Sequence, residues 1–269
     1  MSKSSQSSYR AAFKKCDTLH DVPLTAIKKA QMQEIMYRTS SMSKQTQTAI
    51  KTLLRSVFKY GLENDIVQKD YSVFVDITAE QKDSTRRPFT DTEIKYLWQN
   101  INFVISPKSS GILGKPMIET ILIMIYTGIR VNELLDIKTE YINIQERYID
   151  LHGTKTKAAR RIVPIHRDIL PLIAKRLDGI YLVPGNNNDR LSYSTYKYTF
   201  FNQITNILSI NHNPHDCRHS FATYAARSNM DSLSVKRILG HTTKDITLDV
   251  YTHSFISDLV SEIDKFNVY

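Results

Sequence analysis

Apolar residues recur at steps of three and four along much of this chain, which predicts a mainly α-helical protein. One long amphipathic helix has its apolar positions at Ile50, Leu53, Leu54, Val57 and Phe58. Ser41 or Ser43 supplies a side-chain oxygen for its N-cap, and Gly61 is expected to end it. With the shorter apolar patterns before it, this helix predicts a small all-helical domain over residues 1–76.

A second domain is predicted after a charged stretch. Residues 77–88, which read ITAEQKDSTRRP, lose the apolar period and have the composition of an interdomain linker. Thr90 and Glu93 then form a capping-box pattern that opens the next helix. The nearly all-apolar stretch from Met117 to Tyr126 predicts a buried core helix in a domain covering residues 89–269.

The apolar period switches from helical to alternating between residues 141 and 165. Alternation at 141–144, 148–151 and 162–163, with turn residues between, predicts three short antiparallel strands. The predicted fold class is therefore mainly α with a small antiparallel three-stranded β-sheet (α+β), in two domains.

Composition narrows the class of partner. The chain has 269 residues, and 36 basic against 27 acidic side chains give a net charge of +9, which favours an anionic partner, nucleic acid ahead of a membrane. No apolar run is long enough to span a bilayer, and the N-terminus lacks the apolar core of a secretory signal. Cys16 and Cys217 lie far apart, as expected of a reduced cytoplasmic protein, and no clustered Cys/His set predicts a metal site.

The candidate chemistry lies in the last quarter of the chain. His215, Arg218 and His219 are spaced i, i+3 and i+4, so they share one helix face. His241 follows the turn at Gly240, and Tyr251 comes ten residues later. A fixed cation, several imidazoles and a tyrosine are the groups that cleavage of a phosphodiester by a tyrosine nucleophile needs.

Two motifs in the right order resemble those of the tyrosine recombinases, the phage integrase family. The first is TGIRVNEL at residues 127–134, and the second is HDCRH at 215–219 followed by LGH at 239–241 and a tyrosine. The spacing is most similar to integrases of conjugative transposons and related phages. The resemblance implies a helical core DNA-binding domain followed by a catalytic domain, and site-specific strand exchange for integration or excision of DNA.

The resemblance also implies the roles of individual residues. Tyr251 attacks the scissile phosphate and forms a 3′-phosphotyrosyl link, while Arg130 and Arg218 clamp that phosphate. His215 and His241 donate hydrogen bonds or move protons. No cofactor, metal or ATP is expected, because the phosphotyrosyl bond keeps the energy needed for rejoining.

Supporting roles follow from the same resemblance. A lysine in the hairpin between the second and third strands protonates the departing 5′ oxygen, and we expect it to be Lys155, with Lys157 as the alternative. Glu133 is expected to support the guanidinium of Arg130, and His219 to lie behind the reacting groups. The residues expected to bind DNA are Lys44, Lys51, Arg55, Lys157 and Arg160.

The expected partner is double-stranded DNA carrying recombination sites. The resemblance implies a homotetramer on DNA, joined by exchange of the amphipathic C-terminal tail, and a monomer or weak oligomer in free solution. It also implies action in the cytoplasm of a bacterial or archaeal cell, at the nucleoid. We expect the N-terminal part to be too short for the arm-binding domain that many members carry, so either this member lacks that domain or the sequence is part of a longer chain.

Two other functions remain open from the sequence. A type IB topoisomerase would use the same arginine, lysine, histidine and tyrosine chemistry without pairing two sites, and a strand-exchange assay separates the two. A DNA-binding architectural protein would use the basic charge without any chemistry, and a covalent adduct that resists detergent would exclude it.

Overall fold

The computed structural model describes residues 3–80, 86–103, 117–152, 160–185, 189–240 and 253–268. Over these ranges the chain forms two compact units, Met1–Thr85 and Arg86–Tyr269, each with its own hydrophobic core. The division falls inside residues 77–88, the stretch whose composition predicts a linker.

The first unit is built from helices. They are α1 Lys3–Lys15, α2 Lys29–Arg38 and α3 Lys44–Glu63, with 3-10 turns at Asp17–Leu19, Leu24–Ala26 and Ser72–Phe74. Its core is formed by apolar side chains at helical spacing, among them Met32, Ile35, Met36, Ile50, Leu54 and Phe58.

Helix α3 begins as predicted and ends later than predicted. The Ser43 hydroxyl caps its N-terminus by accepting a hydrogen bond from the Thr46 N–H at 3.2 Å. Gly61 lies inside the helix, so the prediction that it ends α3 is wrong. A Cβ at Gly61 would come within 2.8 Å of Leu24, which shows that this glycine serves close packing. The left-handed residue that follows the helix is Asp65, with φ of 54°.

The segment after the first unit's last turn is tied back to α3. The buried Gln47 side chain accepts hydrogen bonds from the N–H groups of Thr78 and Ala79, each at 2.8 Å, and donates one to the Met36 carbonyl at 2.6 Å. The backbone as far as Ala79 therefore belongs structurally to the first unit.

The second unit contains the remaining helices and the sheet. Its helices are α4 Asp91–Gln99, α5 Ile118–Thr127, α6 Val131–Asp136, α7 Leu170–Ala174, α8 Tyr193–Thr195, α9 Asn202–Ile207, α10 Pro214–Arg227, α11 Ser232–Leu239 and α12 His253–Ile263. A π-helical turn, Tyr196–Phe201, joins α8 to α9 without a break, and 3-10 turns occupy Thr139–Tyr141 and Arg167–Ile169. The capping box predicted for α4 is present at Thr90 and Glu93.

The predicted antiparallel sheet is confirmed. Strands β1 Ile142–Asn143, β2 Tyr148–Leu151 and β3 Arg161–Pro164 pair in the order β1-β2-β3. Ile149 pairs with Ile142 on one side and with Val163 on the other. The three strands are short and follow one another in sequence, so each pairs with its neighbour along the chain.

Helix α5 is the centre of the second unit's core. All its residues are buried, which confirms the core helix predicted from the apolar run, and α10 packs along it. Its one acidic side chain, Glu119, is satisfied inside the core by the Nε of Arg176 at 2.8 Å. This packing fixes the C-terminal end of α5 against the elements that carry the candidate site.

The C-terminal segment packs on its own unit. Leu259, Ile263, Phe266 and Val268 are buried in the second core, and the Phe266 ring stacks on Phe221 at 5.4 Å between centroids. Arg147 also holds Asp264 with two hydrogen bonds of 3.0 and 2.8 Å. Within the single chain the apolar stripe covers the chain's own core, and the expected exchange of this tail between subunits stays a prediction.

Among the helices that the structure describes, not one combines the length and the apolar character that crossing a bilayer requires.

Candidate active site

Arg130 is positioned by the junction between α5 and α6. It is the residue before α6, and its backbone N–H donates to Glu133 Oε2 at 2.8 Å while its Nη1 donates to Oε1 at 2.7 Å. The side chain is 45% exposed. One edge of the guanidinium is therefore fixed by the carboxylate, and the side chain stays accessible to an anion.

Gly128 allows three helices to meet at this junction. It ends α5 in the left-handed conformation, with φ of 66°. A Cβ at this position would lie 2.5 Å from Cδ1 of Phe221 on α10 and 2.8 Å from Cδ2 of Leu239 on α11. Both the backbone angle and the close packing require glycine here, so the glycine of the TGIR motif has a structural reason.

Arg218 reaches the same place from α10 and is buried. Its Nη1 donates to the Gly128 carbonyl at 2.9 Å, and its Nη2 donates to the Leu239 carbonyl at 2.6 Å. Burial, followed by the positive charges of Arg130 and Arg161, lowers the pKa of Arg218 to about 10. The group therefore keeps its charge at neutral pH and is oriented by backbone atoms of two neighbouring elements.

The start of α10 presents two histidines to solvent. Asn213 and Asp216 form a capping box around Pro214, and His215 and His219 follow on the exposed side with their rings 4.8 Å apart and perpendicular. Burial and the nearby positive charges of His219, Arg218 and Arg86 lower the pKa of His215. A neutral imidazole at pH 7 can donate a hydrogen bond through one nitrogen and accept a proton at the other.

Arg161, which is not among the site residues predicted from the sequence, is part of this cluster. It lies at the start of β3 and is 3% exposed. Its Nη1 and Nη2 donate to Glu133 at 3.1 and 2.8 Å, and its Nε donates to the Ile238 carbonyl at 2.7 Å. Its place directly before the apolar pair Ile162 and Val163 is the sequence feature that distinguishes it from Arg160.

The electrostatics of the cluster favour an anion. Burial alone would raise the pKa of Glu133, but the hydrogen bonds and charge of Arg161, together with Arg130, lower it to about 2. The carboxylate is thus ionised at neutral pH, and three guanidinium groups minus one carboxylate leave two net positive charges. Among the residues placed by the structure, His, Cys, Asp and Glu side chains form no group of three able to hold a metal ion.

Four predicted site residues, Lys155, Lys157, His241 and Tyr251, lie outside the described residues. The elements that flank these four residues in the sequence are described. Strand β2 ends at Leu151 and β3 begins at Arg161, which belongs to the cluster. Helix α11 ends at Leu239, whose carbonyl accepts from Arg218, and α12 begins at His253.

The predicted DNA-binding residues that are described belong to both units. Lys44, Lys51 and Arg55 lie on α3 of the first unit, where Lys44 and Arg55 are exposed and Lys51 is partly buried. Arg160 lies in the second unit, exposed and ion-paired with Asp150 at 3.1 Å. The structure therefore brings together Arg130, Glu133, His215, Arg218 and His219 in one region of the second unit.

Comparison with known proteins gives one consistent family. The model of the "Phage integrase family" matches residues 87–257. The chain is 28% identical to tyrosine recombinase XerA of Pyrococcus furiosus over 55% of this chain and 54% of the relative, and 23% identical to XerD of Staphylococcus saprophyticus over 99% and 93%. The matches to XerA proteins thus span about half of those relatives' length.

Solved structures share the fold. The integrase of transposon Tn1549, solved in complex with a circular intermediate DNA, superposes with a TM-score of 0.75 at 16% identity, covering 99% of this chain and 95% of that chain. Lambda integrase, solved as a tetramer bound to a Holliday junction, superposes with a TM-score of 0.72 at 17% identity, covering 94% and 75%.

Proposed function

We propose that this chain, a member of the phage integrase family, is a site-specific DNA recombinase. The observation that best supports the proposal is the convergence of Arg130 and Arg218 beside His215, in a cluster with two net positive charges. Two fixed guanidinium groups suit the two nonbridging oxygens of a phosphodiester, whose negative charge grows as a fifth oxygen approaches phosphorus.

In the proposed reaction the Tyr251 hydroxyl gives up its proton and its oxygen bonds to the scissile phosphorus. The bond from phosphorus to the 5′ oxygen breaks, and that oxygen leaves with a proton. Arg130 and Arg218 hold the nonbridging oxygens, and His215 and His241 donate hydrogen bonds or move protons. Attack of a second strand's 5′ hydroxyl on the phosphotyrosine reverses the bond changes, so rejoining needs neither ATP nor metal.

Lys155 is our choice for the acid that protonates the 5′ oxygen, with Lys157 as the alternative. Lys155→Ala should slow cleavage by roughly 10²–10⁴, as expected when an acid is lost. A 5′-bridging sulfur at the scissile phosphate leaves readily without protonation, because a thiol has a pKa of about 8.5. Cleavage of that substrate by Lys155→Ala should recover towards the wild-type rate, and rescue of Lys157→Ala instead would exchange the two roles.

We propose that both units bind the DNA. Exposed Lys44 and Arg55 and the neighbouring Lys51 give α3 a basic outer face, and no acidic residue interrupts α3 before Glu63. In the second unit, Arg160 is exposed just before β3, and Lys157 lies between β2 and β3 in the sequence. Lambda integrase was solved as a tetramer on DNA, which supports a tetramer as the working assembly of this chain, with a monomer or weak oligomer in free solution. The relatives' bacterial and archaeal sources support action in the cytoplasm of such a cell, at the nucleoid.

A strand-exchange assay tests the function. Two labelled duplexes carrying the sequences that flank the protein's own gene are mixed with the protein in excess EDTA, and recombinant strands are counted on a denaturing gel. The proposal predicts recombinant products. Relaxation of supercoiled DNA without exchange would favour a type IB topoisomerase, and binding without any broken strand would favour an architectural protein.

A further inference from the structure

We propose that Arg161 is a positioning residue of the active site, an inference that rests on the recombinase function proposed above. Arg161 is 3% exposed, and its Nε, Nη1 and Nη2 all donate to protein acceptors, so we assign it no direct contact with a DNA phosphate. It acts through two other parts of the site: the carboxylate that holds Arg130, and the end of the helix that leads to His241.

The first part is Glu133, which two arginines share. Oε1 accepts from Arg130 Nη1 at 2.7 Å and from Arg161 Nη1 at 3.1 Å. Oε2 accepts from the Arg130 N–H and from Arg161 Nη2, both at 2.8 Å. The paired, parallel hydrogen bonds from Arg161 fix the plane of the carboxylate. Since Arg130 is held by that same carboxylate, the position of its guanidinium depends on Arg161.

The second part is the C-terminal end of α11. Arg161 Nε donates to the Ile238 carbonyl at 2.7 Å, next to the Leu239 carbonyl that Arg218 holds at 2.6 Å. Positive groups at this end complement the helix dipole. A Cβ at the left-handed Gly240 would lie 3.0 to 3.1 Å from the Arg161 side chain, so the chain turns directly against it.

Burial makes this arrangement depend on the arginine itself. A buried cation is tolerated only when ionic and hydrogen-bonding partners replace water. Arg161 has a carboxylate and a backbone carbonyl, which together occupy its Nε, Nη1 and Nη2. A lysine has one ammonium group in place of the planar fork and cannot hold Glu133 and Ile238 with the same geometry. Arg161 therefore links the TGIR motif to the LGH motif.

The test compares single-turnover cleavage by Arg161→Met and Arg161→Lys on a nicked suicide substrate. A control variant, Arg176→Met, removes another deeply buried arginine, whose Nε donates to Glu119 inside the core. Thermal unfolding of each full-length variant measures its folded fraction. We expect both Arg161 variants to fold and to cleave roughly 10- to 100-fold more slowly, as a misplaced catalytic group does. Arg176→Met should unfold at lower temperature but cleave at the wild-type rate per folded molecule.

A second substrate separates positioning from a purely structural loss. It carries a methylphosphonate at the scissile position, which removes the charge that Arg130 and Arg218 are proposed to hold. On this substrate, Arg161→Met should cleave only a few-fold more slowly than wild type, and so should Arg130→Ala. A defect that is equally large on both substrates, wild-type cleavage by both Arg161 variants, or failure of both to fold would overturn the inference. Absence of cleavage by the wild-type protein would instead overturn the proposed function.

Discussion

Glu133 carries out several tasks at the residue scale. It caps the N-terminus of α6, holds the exposed Arg130 and neutralises the buried Arg161, all with two oxygen atoms. Asparagine or glutamine at this position would keep part of the hydrogen bonding and lose the charge. The two arginines would then repel each other at short range without a shared counter-charge.

The low pKa of Glu133 predicts how stability depends on pH. Its pKa falls from 4.5 to about 2 on folding, so its ion pairs stabilise the folded protein fully above about pH 4.5 and lose that effect as the pH falls towards 2. The full shift corresponds to a contribution on the order of 3 kcal/mol. Glu133→Gln should therefore be less stable than wild type at pH 6, and the difference should shrink by roughly half at pH 3.

Urea unfolding followed by the fluorescence of Trp98, the only tryptophan in the chain, measures this difference in the second unit. Glu140→Gln, which removes an exposed carboxylate, is the matched control and should leave stability nearly unchanged at both pH values. If the difference in unfolding free energy between wild type and Glu133→Gln stayed constant from pH 6 to pH 3, the lowered pKa of Glu133 would be contradicted.

The sequence predicted part of this cluster and missed part. Arg130, Glu133 and Arg218 were expected together because each belongs to a motif of local spacing, and the contact between Arg130 and Glu133 spans three residues. Arg161 was missed because its partners, Glu133 and Ile238, lie 28 and 77 residues away in the chain. Its neighbour Arg160 is exposed, so charge alone did not separate the buried arginine from the solvated one.

At the scale of elements, the C-terminal segment likewise makes contacts with distant parts of the chain that the sequence did not predict. Its apolar stripe was evident from the sequence, but a stripe does not identify the surface that covers it. In the structure Phe266 packs against Phe221, Tyr224 and Tyr126, which belong to the core helices α5 and α10. The helices and the sheet, by contrast, were predictable because their periods and turns are set by neighbouring residues.

This packing predicts a large loss of stability in Phe266→Ala. Removing a ring that is 3% exposed leaves a cavity next to α10, which should cost about 3–5 kcal/mol. Ile207→Ala is the control, because Ile207 is 54% exposed on α9 and should change stability by less than about 1 kcal/mol. Both are measured by urea unfolding with Trp98 fluorescence. Equal midpoints for Phe266→Ala and wild type would show that the segment does not pack on its own unit.

At the scale of the whole molecule, positive charge is spread over both units. Residues 1–85 carry 13 basic and 9 acidic side chains, a net charge of +4, and residues 86–269 carry 23 and 18, a net charge of +5. A protein that binds DNA through two basic units neutralises many phosphates and releases their counterions. The logarithm of its binding constant should therefore fall linearly with the logarithm of salt concentration.

Fluorescence anisotropy with a labelled duplex measures that slope. Lys51→Ala and Arg55→Ala should each weaken binding and reduce the slope by about one. Lys265→Ala is a control of equal charge, since Lys265 is paired with Glu262 at the other end of the chain. An unchanged slope in both α3 variants would remove this helix from the DNA interface.

The most direct test of the account identifies the residue that becomes bonded to DNA. The protein is trapped on a nicked suicide substrate in EDTA, the adduct is digested with trypsin and nuclease, and the modified peptide is sequenced by mass spectrometry. The account predicts a nucleotide attached through its 3′ phosphate to Tyr251, in the peptide that runs from Asp245 to Lys265. It also predicts no adduct from Tyr251→Phe, although that variant should still bind DNA. An adduct on another residue, or one that persists in Tyr251→Phe, would contradict it.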